Sequence, residues 1–501
     1  MPPPENILLV HPLGYRADAA AKDISRLANV MPPLGLASMA AYMDQRGIDS
    51  SIIDCYAQPD SDQAIRRFLL ERKPAFIGLS CTTSSFLDGV RIANMAKEAL
   101  PGIRTVFGGP HVSALKGRIL AEYPAVDFTV VGEGEETLTE LVQSRGEAPA
   151  GIKGLIYRDG AEGPSVFTGY RATALELDTL PFPAYEKLAG FPDAYKLPIF
   201  NYPTVPNSSC ISSRGCPYAC SYCDRSVFRR SFRFNSADYL YAHLHYLRTR
   251  FGIRHINFYD DQFTFNRKRV EAFADLMLSR PLGMTFNCAV RAEHIDADLL
   301  ARLKRAGCWM MSLGIEYGDQ ELLSHHRQNP DLDQLAVKIR MIKAAGIRTK
   351  GLLMIGLPGE TEQSIQNSMD YVFKLPIDDF NLAKFTPFPG SPLYEHIREE
   401  GSFDEDWEKM DCMNFQFVTR GMTRERLEQL FQTFYRNHFK RHKVLLGYVA
   451  MLWRSPDSWR RFLASLPSFL RFTRVNRRHL GNPEVEAGGG ASYHGTSSPG
   501  K

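Results

Sequence analysis

Three closely spaced cysteines are the residues of this sequence best suited to chemistry. They are Cys216, Cys220 and Cys223, with three residues between the first two and two between the last two. Three thiolates on one short loop can ligate a soft metal centre. A structural zinc site is closed by four ligands, whereas three thiolates suit an iron–sulfur cluster with one open iron. Gly215 and Pro217 suit a loop that wraps a cluster. A zinc knuckle that lacks a ligand, or three unrelated thiols, is the alternative.

Length and composition indicate an ordinary globular protein of more than one domain. The 501 residues suffice for two or three domains, each with its own core. The formal net charge of +4 is too small to indicate a nucleic-acid partner. The six other cysteines are scattered, which argues against an extracellular disulfide framework. We find no signal peptide and no apolar run of about 20 residues, so we expect a cytoplasmic protein.

The first 150 residues alternate apolar strands with amphipathic helices. Strands are predicted at 6–10, 51–54, 75–80, 105–109 and 127–131, the last of the block, and helices at 35–46, 62–72 and 86–99. This alternation predicts an α/β fold with a doubly wound parallel sheet. Ligands of such sheets bind beyond the carboxyl ends of the strands, where this sequence is rich in glycine and hydroxyl residues.

A second α/β region begins near Cys210, after a connector in which residues 151–158 could form a strand or hairpin. Helical stripes at 296–303 and 335–342 precede strands at 308–313 and 351–356. Repeated βα units close into a barrel or part of one, with the active-site residues at the carboxyl ends of the strands. That rule selects Asp260, Asp261, Arg291, Glu316 and the glycine-rich loop 356–359.

The cysteine motif resembles the cluster motif of the radical S-adenosylmethionine (radical SAM) enzymes. The resemblance implies a four-iron, four-sulfur cluster on Cys216, Cys220 and Cys223, whose open iron binds SAM through its amino and carboxylate groups. It also implies reductive cleavage of SAM to a 5′-deoxyadenosyl radical, with a reductant such as flavodoxin or ferredoxin. Tyr222 matches the aromatic position that packs against the adenine in this family.

Taken with this motif, the N-terminal block resembles the cobalamin-binding domain of one radical SAM class. The segments 31–36, 108–111 and 131–136 carry the likeness. It implies that cobalamin contacts the strand ends at Ser80, Thr82, Gly108, Gly109, Gly132 and Glu133. The D-x-H-x-x-G pattern is absent, so the implied cobalamin has no histidine on its lower face, and we interpret His111 as a hydrogen-bonding loop residue. An empty or repurposed sheet is the alternative.

The barrel strand ends resemble the SAM-binding segments of the same class. By that likeness Asp261 lies near the SAM amino group, Glu316 and Arg291 near the polar part of SAM, and Gly356 to Gly359 along the adenosine. A carboxylate and a guanidinium would match the charges of this zwitterion. One alternative is a structural ion pair between Arg291 and Glu316. One of Asp260 and Asp261 is expected to cap the following turn.

The resemblance extends over about residues 5–395 and leads to five predicted segments. These are a cobalamin-binding-like Rossmann domain at 1–150, a connector at 151–205, a radical SAM partial (β/α) TIM-like barrel at 206–395, a helical C-terminal region at 396–480 and a disordered tail at 481–501.

The C-terminal region is strongly basic. Between Arg436 and Arg478 eleven basic residues accompany a single acid, with aromatic residues and leucines among them. A basic helix with an apolar face is typical of an interfacial membrane helix, so we expect Trp459, Phe462 and Phe469 to insert at the inner membrane surface. Packing of this face on the barrel is the alternative.

The leading functional interpretation is a cobalamin-dependent radical SAM methyltransferase. The resemblance implies methylation of an unactivated carbon and the use of two SAM molecules per turnover, and we expect a hydrophobic substrate such as a lipid, terpenoid or tetrapyrrole. The runner-up is oxidation or ring closure, as in the anaerobic cyclase of chlorophyll synthesis. A tRNA methylthiotransferase would need extra cluster cysteines in the N-terminal domain, and none are visible. A cobalamin- or light-sensing protein with a vestigial barrel conflicts with the intact cysteine trio.

Overall fold

The computed structural model describes residues 6–14, 30–160, 163–171 and 175–466. Its N-terminal sheet consists of β1 (Asn6–His11), β2 (Asp49–Asp54), β3 (Phe76–Ser80), β4 (Arg104–Gly108), β5 (Phe128–Val130), β6 (Leu155–Arg158) and β7 (Ser165–Phe167). The spatial order is β2-β1-β3-β4-β5-β6-β7. Strands β1 to β5 run parallel, as predicted.

Helices pack on both faces of this sheet. They are α1 (Leu34–Asp44), α2 (Ser61–Arg72), α3 (Phe86–Ala99), α4 (Pro110–Leu115), α5 (Gly117–Glu122) and α6 (Glu135–Gln143). Alternate residues of β1 join two different cores, with Ile7 and Leu9 on one face and Leu8 and Val10 on the other. Burial on both faces explains why the strand is a continuous apolar run.

The N-terminal sheet does not end at β5, contrary to the sequence-based prediction. Part of the expected connector adds β6 and β7 as antiparallel edge strands. A short antiparallel hairpin needs no crossover helix, so it can extend a parallel sheet with few residues. The fold class predicted from the sequence is correct, with this antiparallel edge as an addition.

The second sheet is an open, fully parallel half-barrel. Its strands are β8 (Asn207–Cys210), β11 (His255–Phe258), β12 (Thr285–Val290), β13 (Cys308–Glu316), β14 (Arg348–Ile355) and β15 (Asp379–Lys384), and a separate small pair is formed by β9 (Ser213–Arg214) and β10 (Arg233–Phe234). The half-barrel order is β15-β14-β13-β12-β11-β8. Every pairing in it is parallel, which places the strand carboxyl ends at one edge.

The helices of the half-barrel have well-defined starts. They are α7 (Ala237–Phe251), α8 (Arg267–Ser279), α9 (Ala297–Arg305), α10 (Gln320–His326), α11 (Leu332–Ala344) and α12 (Glu362–Lys374). Side chains at the N-caps, such as Asp296, Asp331 and Thr361, accept a hydrogen bond from a backbone N–H of the first turn. These caps fix the turn between each strand end and the next helix.

The C-terminal region is not wholly helical. It contains α13 (Ile397–Glu400), the antiparallel pair β16 (Gly401–Phe403) and β17 (Phe417–Thr419), α14 (Arg424–Phe439), α15 (His442–Arg454) and helical residues 456–466. Helix α14 packs into the main core through Leu427 and Phe434. The predicted tail at 481–501 lies outside the described residues. Within the described ranges, no helix combines the length and hydropathy needed to cross a bilayer.

Candidate cofactor site

The three cysteines share the loop that follows β9. Cys220 is buried, Cys216 is half-buried and Cys223 is exposed. The Cys223 thiol donates to the Cys220 sulfur and lowers the pKa of Cys220 to about 5. Among the described residues, no three His, Cys, Asp or Glu side chains converge on a single metal ion. Three thiolates are one ligand short of a closed structural zinc site, whereas they suit a cluster that takes one thiolate at each of three separate corners.

Asp260 fixes the chain that enters the cysteine loop. Its carboxylate accepts hydrogen bonds from the backbone N–H of Ser212 at 2.6 Å and of Ser213 at 2.7 Å. The Ser212 hydroxyl donates to the same carboxylate, and Arg269 donates to the Ser212 carbonyl at 3.1 Å. The predicted capping of a following turn is wrong for Asp260, because its partners lie on a different segment. Its neighbour Asp261 lines a cavity that lies between the two sheets. Burial raises the pKa of the Asp261 carboxyl.

Arg291 lies beside the cysteine loop without pairing to Glu316. Its Nε donates to Glu293 at 2.6 Å, and its guanidinium lies 3.7 Å from the centre of the Tyr218 ring. The alternative of an Arg291–Glu316 ion pair is therefore wrong. The positive charge of Arg291 still acts on the Cys220 sulfur. It thus stays close enough to the cysteines to act on a group bound there.

Glu316 occupies a strained, half-buried position at the end of β13. Its backbone has φ of +62°, and its side chain folds back over Gly314. Burial raises the pKa of Glu316 to about 7, and the positive charge of Arg327 opposes that rise. The charge of Glu316 also acts on half-buried Tyr222, so the carboxylate and this ring share one environment. A non-glycine residue at positive φ is uncommon and is found preferentially at functional positions.

Two residues missed by the sequence reasoning connect the site. Arg327 donates to the Gly314 carbonyl at 2.5 Å and carries the charge that opposes burial of Glu316. His326 pairs with the Ser221 hydroxyl at 2.9 Å and with the Pro358 carbonyl at 3.1 Å. Both residues lie at or after the end of α10 rather than at a strand end, so the strand-end rule could not select them.

The glycine-rich loop after β14 forms the predicted tight turn. Gly356 and Gly359 have φ of +94° and +79°, which favour glycine. Gly356 is buried, and a Cβ there would lie 3.0 Å from Phe415, whereas Gly359 is exposed. The backbone N–H of Gly356 donates to the carboxylate of Glu360, whose pKa is raised to about 8 by burial. The C-terminal region therefore contacts both ends of this loop, because the Gly359 N–H also donates to the Thr419 hydroxyl at 3.1 Å.

A cavity of about 430 Å³ lies between the two sheets. The N-terminal sheet lines it with most of the residues predicted to contact cobalamin, namely Ser80, Gly108, Gly109, Gly132 and Glu133. The barrel lines it with Arg214, Gly215, Tyr259 and Asp261. Thr82 does not line the cavity. Its N–H donates to the Ser85 hydroxyl at 3.0 Å, so it closes its own loop instead.

Glycines form a cradle on the N-terminal side of this cavity. Gly109 has φ of +101°, and a Cβ there would lie 2.6 Å from the Cys81 carbonyl oxygen. A Cβ on Gly108 would meet no atom within 4 Å, so a side chain there would extend into space that the glycine leaves open. This cradle fits a large ligand that approaches the backbone closely, as cobalamin would.

Glu133 lies in an ion-pair network that joins the two sheets. Arg214 of β9 donates to Glu133 at 2.5 Å and to Glu135 at 2.6 Å, and Arg233 of β10 also donates to Glu133. Both carboxylates belong to the N-terminal domain, and both arginines flank the cysteine loop. The network therefore holds the glycine cradle against the cysteine loop, and Glu133 has a structural role besides any cofactor contact.

His111 lies away from the cavity. Its ring is fully buried between Phe86 and Trp407, with ring centroids 4.6 Å and 4.5 Å apart, and its Nδ1 lies 3.3 Å from the Thr83 hydroxyl. Burial lowers the pKa of His111 to about 3, so the ring is neutral at physiological pH. It is a hydrogen-bonding residue, as interpreted from the sequence, at the start of the short helix α4.

Two protein-family models match separate regions of this chain. A model of the B12 binding domain matches residues 23–142, and a model of the radical SAM superfamily matches residues 210–372. An uncharacterized methyltransferase of Pyrococcus horikoshii is 29% identical over 83% of this chain and 89% of its own length. The anaerobic magnesium-protoporphyrin IX monomethyl ester cyclase of Cereibacter sphaeroides is 27% identical over 93% of this chain and 75% of its own length.

Solved structures share the fold. The cobalamin-dependent S-adenosylmethionine radical enzyme OxsB, with aqua-cobalamin and S-adenosylmethionine bound, superposes with a TM-score of 0.70 at 17% identity, over 95% of this chain and 75% of its own. The radical S-adenosylmethionine methyltransferase TsrM of Kitasatospora setae gives 0.64 at 18% identity, over 79% and 75%.

The chain therefore carries the two domains of the cobalamin-linked radical SAM class, a B12-binding domain and a radical SAM domain. Its cofactors are those of this class, a [4Fe–4S] cluster, S-adenosylmethionine and cobalamin. The fold and the cofactor set expected from the sequence are thereby confirmed.

Proposed function

We propose that this enzyme methylates an unactivated carbon of a hydrophobic small molecule, such as a lipid, terpenoid or tetrapyrrole. The observation that carries the proposal is the cavity shared by both domains. Its N-terminal wall is the glycine cradle, and its barrel wall includes Gly215 and Asp261 beside the cysteine loop. A substrate placed there would lie between the two cofactors.

In this proposal the chain holds the cofactors in separate positions. Cys216, Cys220 and Cys223 would ligate the cluster. Asp261, Glu316 and Arg291 would bind the polar part of SAM, while Tyr222 and the Gly356–Gly359 loop would contact its adenosine. Ser80, Gly108, Gly109, Gly132 and Glu133 would contact cobalamin. Among the predicted cobalamin contacts, Thr82 is the one that does not line the cavity.

The residues act by binding, orientation and exclusion of water. When bound, the cluster with SAM supplies hydrogen abstraction, and cobalamin supplies methyl transfer. Asp260 fixes the entry of the cysteine loop, and the Arg214 network fixes that loop against the cradle. Glu316, with its pKa raised to about 7, can pair with a cationic amino group more strongly as pH rises and the carboxyl ionises.

Oxidation or ring closure is the second candidate. The magnesium-protoporphyrin cyclase aligns with 93% of this chain, which favours a tetrapyrrole-like substrate and the same cofactors. Under either function we propose a reductant such as flavodoxin or ferredoxin, and contact with the membrane surface through the basic C-terminal region.

The test is anaerobic incubation of the reconstituted enzyme with SAM, methylcobalamin and reductant, using candidate lipids, terpenoids and tetrapyrroles. We expect S-adenosylhomocysteine, 5′-deoxyadenosine and a methylated product by mass spectrometry, and omission of methylcobalamin should abolish S-adenosylhomocysteine and the methylated product. Deoxyadenosine and a cyclised or oxidised product without S-adenosylhomocysteine would establish the second candidate and contradict methyl transfer.

A further inference from the structure

Helix α15 presents an apolar face to solvent. Its inward residues Val444 and Met451 are buried, as expected of a packed helix. Its outward face carries two of the most exposed large apolar side chains of the described molecule, Leu446 at 67% and Trp453 at 78% exposed. We call the exposed large apolar side chains of α15 the exposed apolar face; they are Leu445, Leu446, Val449, Leu452 and Trp453. Contiguous apolar patches of this kind mark interaction sites.

Two of the three residues expected from the sequence to insert into a membrane pack against the protein instead. Trp459 and Phe462 pack against Phe200, with ring centroids 5.5 Å and 6.3 Å away, and the Trp459 indole donates to the Tyr448 carbonyl. Packing against the protein was the alternative to membrane insertion, and it is correct for the Trp459 and Phe462 rings. Phe469, the third residue expected to insert, lies outside the described residues.

Basic side chains surround the exposed apolar face. Arg436, Lys440, Lys443 and Arg454 are exposed, and within the described residues none has a carboxylate oxygen within 4 Å. The only acid in this stretch, Asp457, already pairs with Arg460 at 2.6 Å. The patch is thus apolar at its centre and cationic at its rim, which is the surface that an interfacial helix presents to anionic lipid.

We propose that the exposed apolar face of α15 docks on an anionic lipid bilayer. Charge complementarity favours this occupant over two others. A second copy of the chain would bring one basic rim against another. Residues 467–501 could fold back, but their first part adds Arg471, Arg474, Arg477 and Arg478 before any acid, which would repel the same rim.

The position of the face sets how the enzyme would sit on the membrane. The Tyr448 hydroxyl donates to Asp379, the first residue of β15, at 3.0 Å, and the rings around Trp459 contact residues that precede β8. The face therefore lies at the amino ends of the barrel strands, opposite the cysteine loop. Docking would tether the enzyme while the cofactor cavity stays open to solution. The inference names the lipid partner of the proposed function but does not depend on the reaction catalysed.

The test is co-sedimentation of the purified full chain with vesicles of phosphatidylglycerol and phosphatidylcholine, and with phosphatidylcholine alone. We expect binding only to the anionic vesicles, released by high salt, since each basic residue near the surface strengthens binding by about fivefold. The variant L446Q/W453Q should bind at least about tenfold more weakly. Leu70→Gln is the matched control, because Leu70 is 60% exposed on α2, in the other domain, and should bind as the wild type does.

Two results would overturn the proposal. Equal binding of wild type and L446Q/W453Q, or no binding of the wild type, overturns it. Binding that appears only when the chain ends at Leu466 would show that the tail covers the face, and a dimer that dissociates in L446Q/W453Q would show a second copy there. Vesicle binding does not require cofactors, so its failure is distinct from failure of the methylation assay. A shorter truncation at Glu425 is unsuitable, because it removes the buried residues Leu427 and Phe434.

Discussion

At the scale of single residues, the site depends on carboxylates whose environments differ sharply. Asp260 is hydrogen-bonded and structural, and Asp261 faces the cavity. Glu316 is half-buried at the end of β13, and Glu360 is buried in the loop that follows β14. The sequence identified the strand-end positions because acidic residues after apolar runs are visible there. It could not separate the roles of Asp260 and Asp261, since the partner of Asp260 lies 48 residues earlier in the chain.

Glu360 provides a pH-dependent prediction. Burial raises its pKa in the folded state to about 8, above its value in the unfolded chain. A carboxyl shifted in this direction favours the folded state at low pH, and that contribution is lost as pH rises through about 8. We therefore expect Glu360→Gln, which stays neutral, to gain stability relative to wild type as pH rises from about 5 to about 8.

Thermal unfolding of both proteins across this pH range measures the effect. Glu362→Gln is a suitable control, because Glu362 is an exposed acid in the same region and lies outside the buried loop. A stability difference that stays constant with pH would contradict the assignment of a raised pKa to Glu360.

At the scale of elements, the Arg214 network links the two sheets. Arg214 on β9 is largely buried between Glu133 and Glu135 of the N-terminal domain. The sequence predicted both sheets from strand–helix alternation, and it placed Glu133 at the correct loop. It could not predict this contact, because β9 is a two-residue strand with no periodic pattern, and the pairing depends on how two separately folded sheets meet.

Arg214→Gln is expected to loosen this link. Removing one partner leaves two carboxylates poorly compensated, which should lower the free energy of unfolding by about 3 kcal/mol and weaken cobalamin binding. Urea denaturation and equilibrium binding of cobalamin measure the two effects. The control is Arg426→Gln, which breaks an exposed pair with Glu362 and should change neither quantity. Equal stability and affinity of Arg214→Gln and wild type would show that the network is not a link.

At the scale of the whole molecule, the B12-binding sheet and the radical SAM half-barrel enclose one cavity, and the C-terminal region covers part of the barrel. Domain order, sheet type and cysteine chemistry could be predicted from the sequence, because they follow from periodicity and spacing. The sequence allows a strand or hairpin within 151–158, but it does not show that this segment pairs with the N-terminal sheet or that Trp459 packs against Phe200. Short strands and basic apolar helices are compatible with more than one packing partner. The proposed domain limits at 150, 205 and 395 stay predictions.

The most direct test of the central claim is the effect of single cysteine replacements on cluster content and SAM cleavage. Cys216→Ala, Cys220→Ala and Cys223→Ala should each abolish the visible absorbance of the cluster, lower iron and sulfide content, and stop 5′-deoxyadenosine formation after anaerobic reconstitution. Cys412→Ala, which removes a half-buried thiol outside the trio, should retain all of these properties. A folded Cys220→Ala variant with full cluster absorbance and undiminished deoxyadenosine formation would contradict the assignment of this loop as the radical SAM centre.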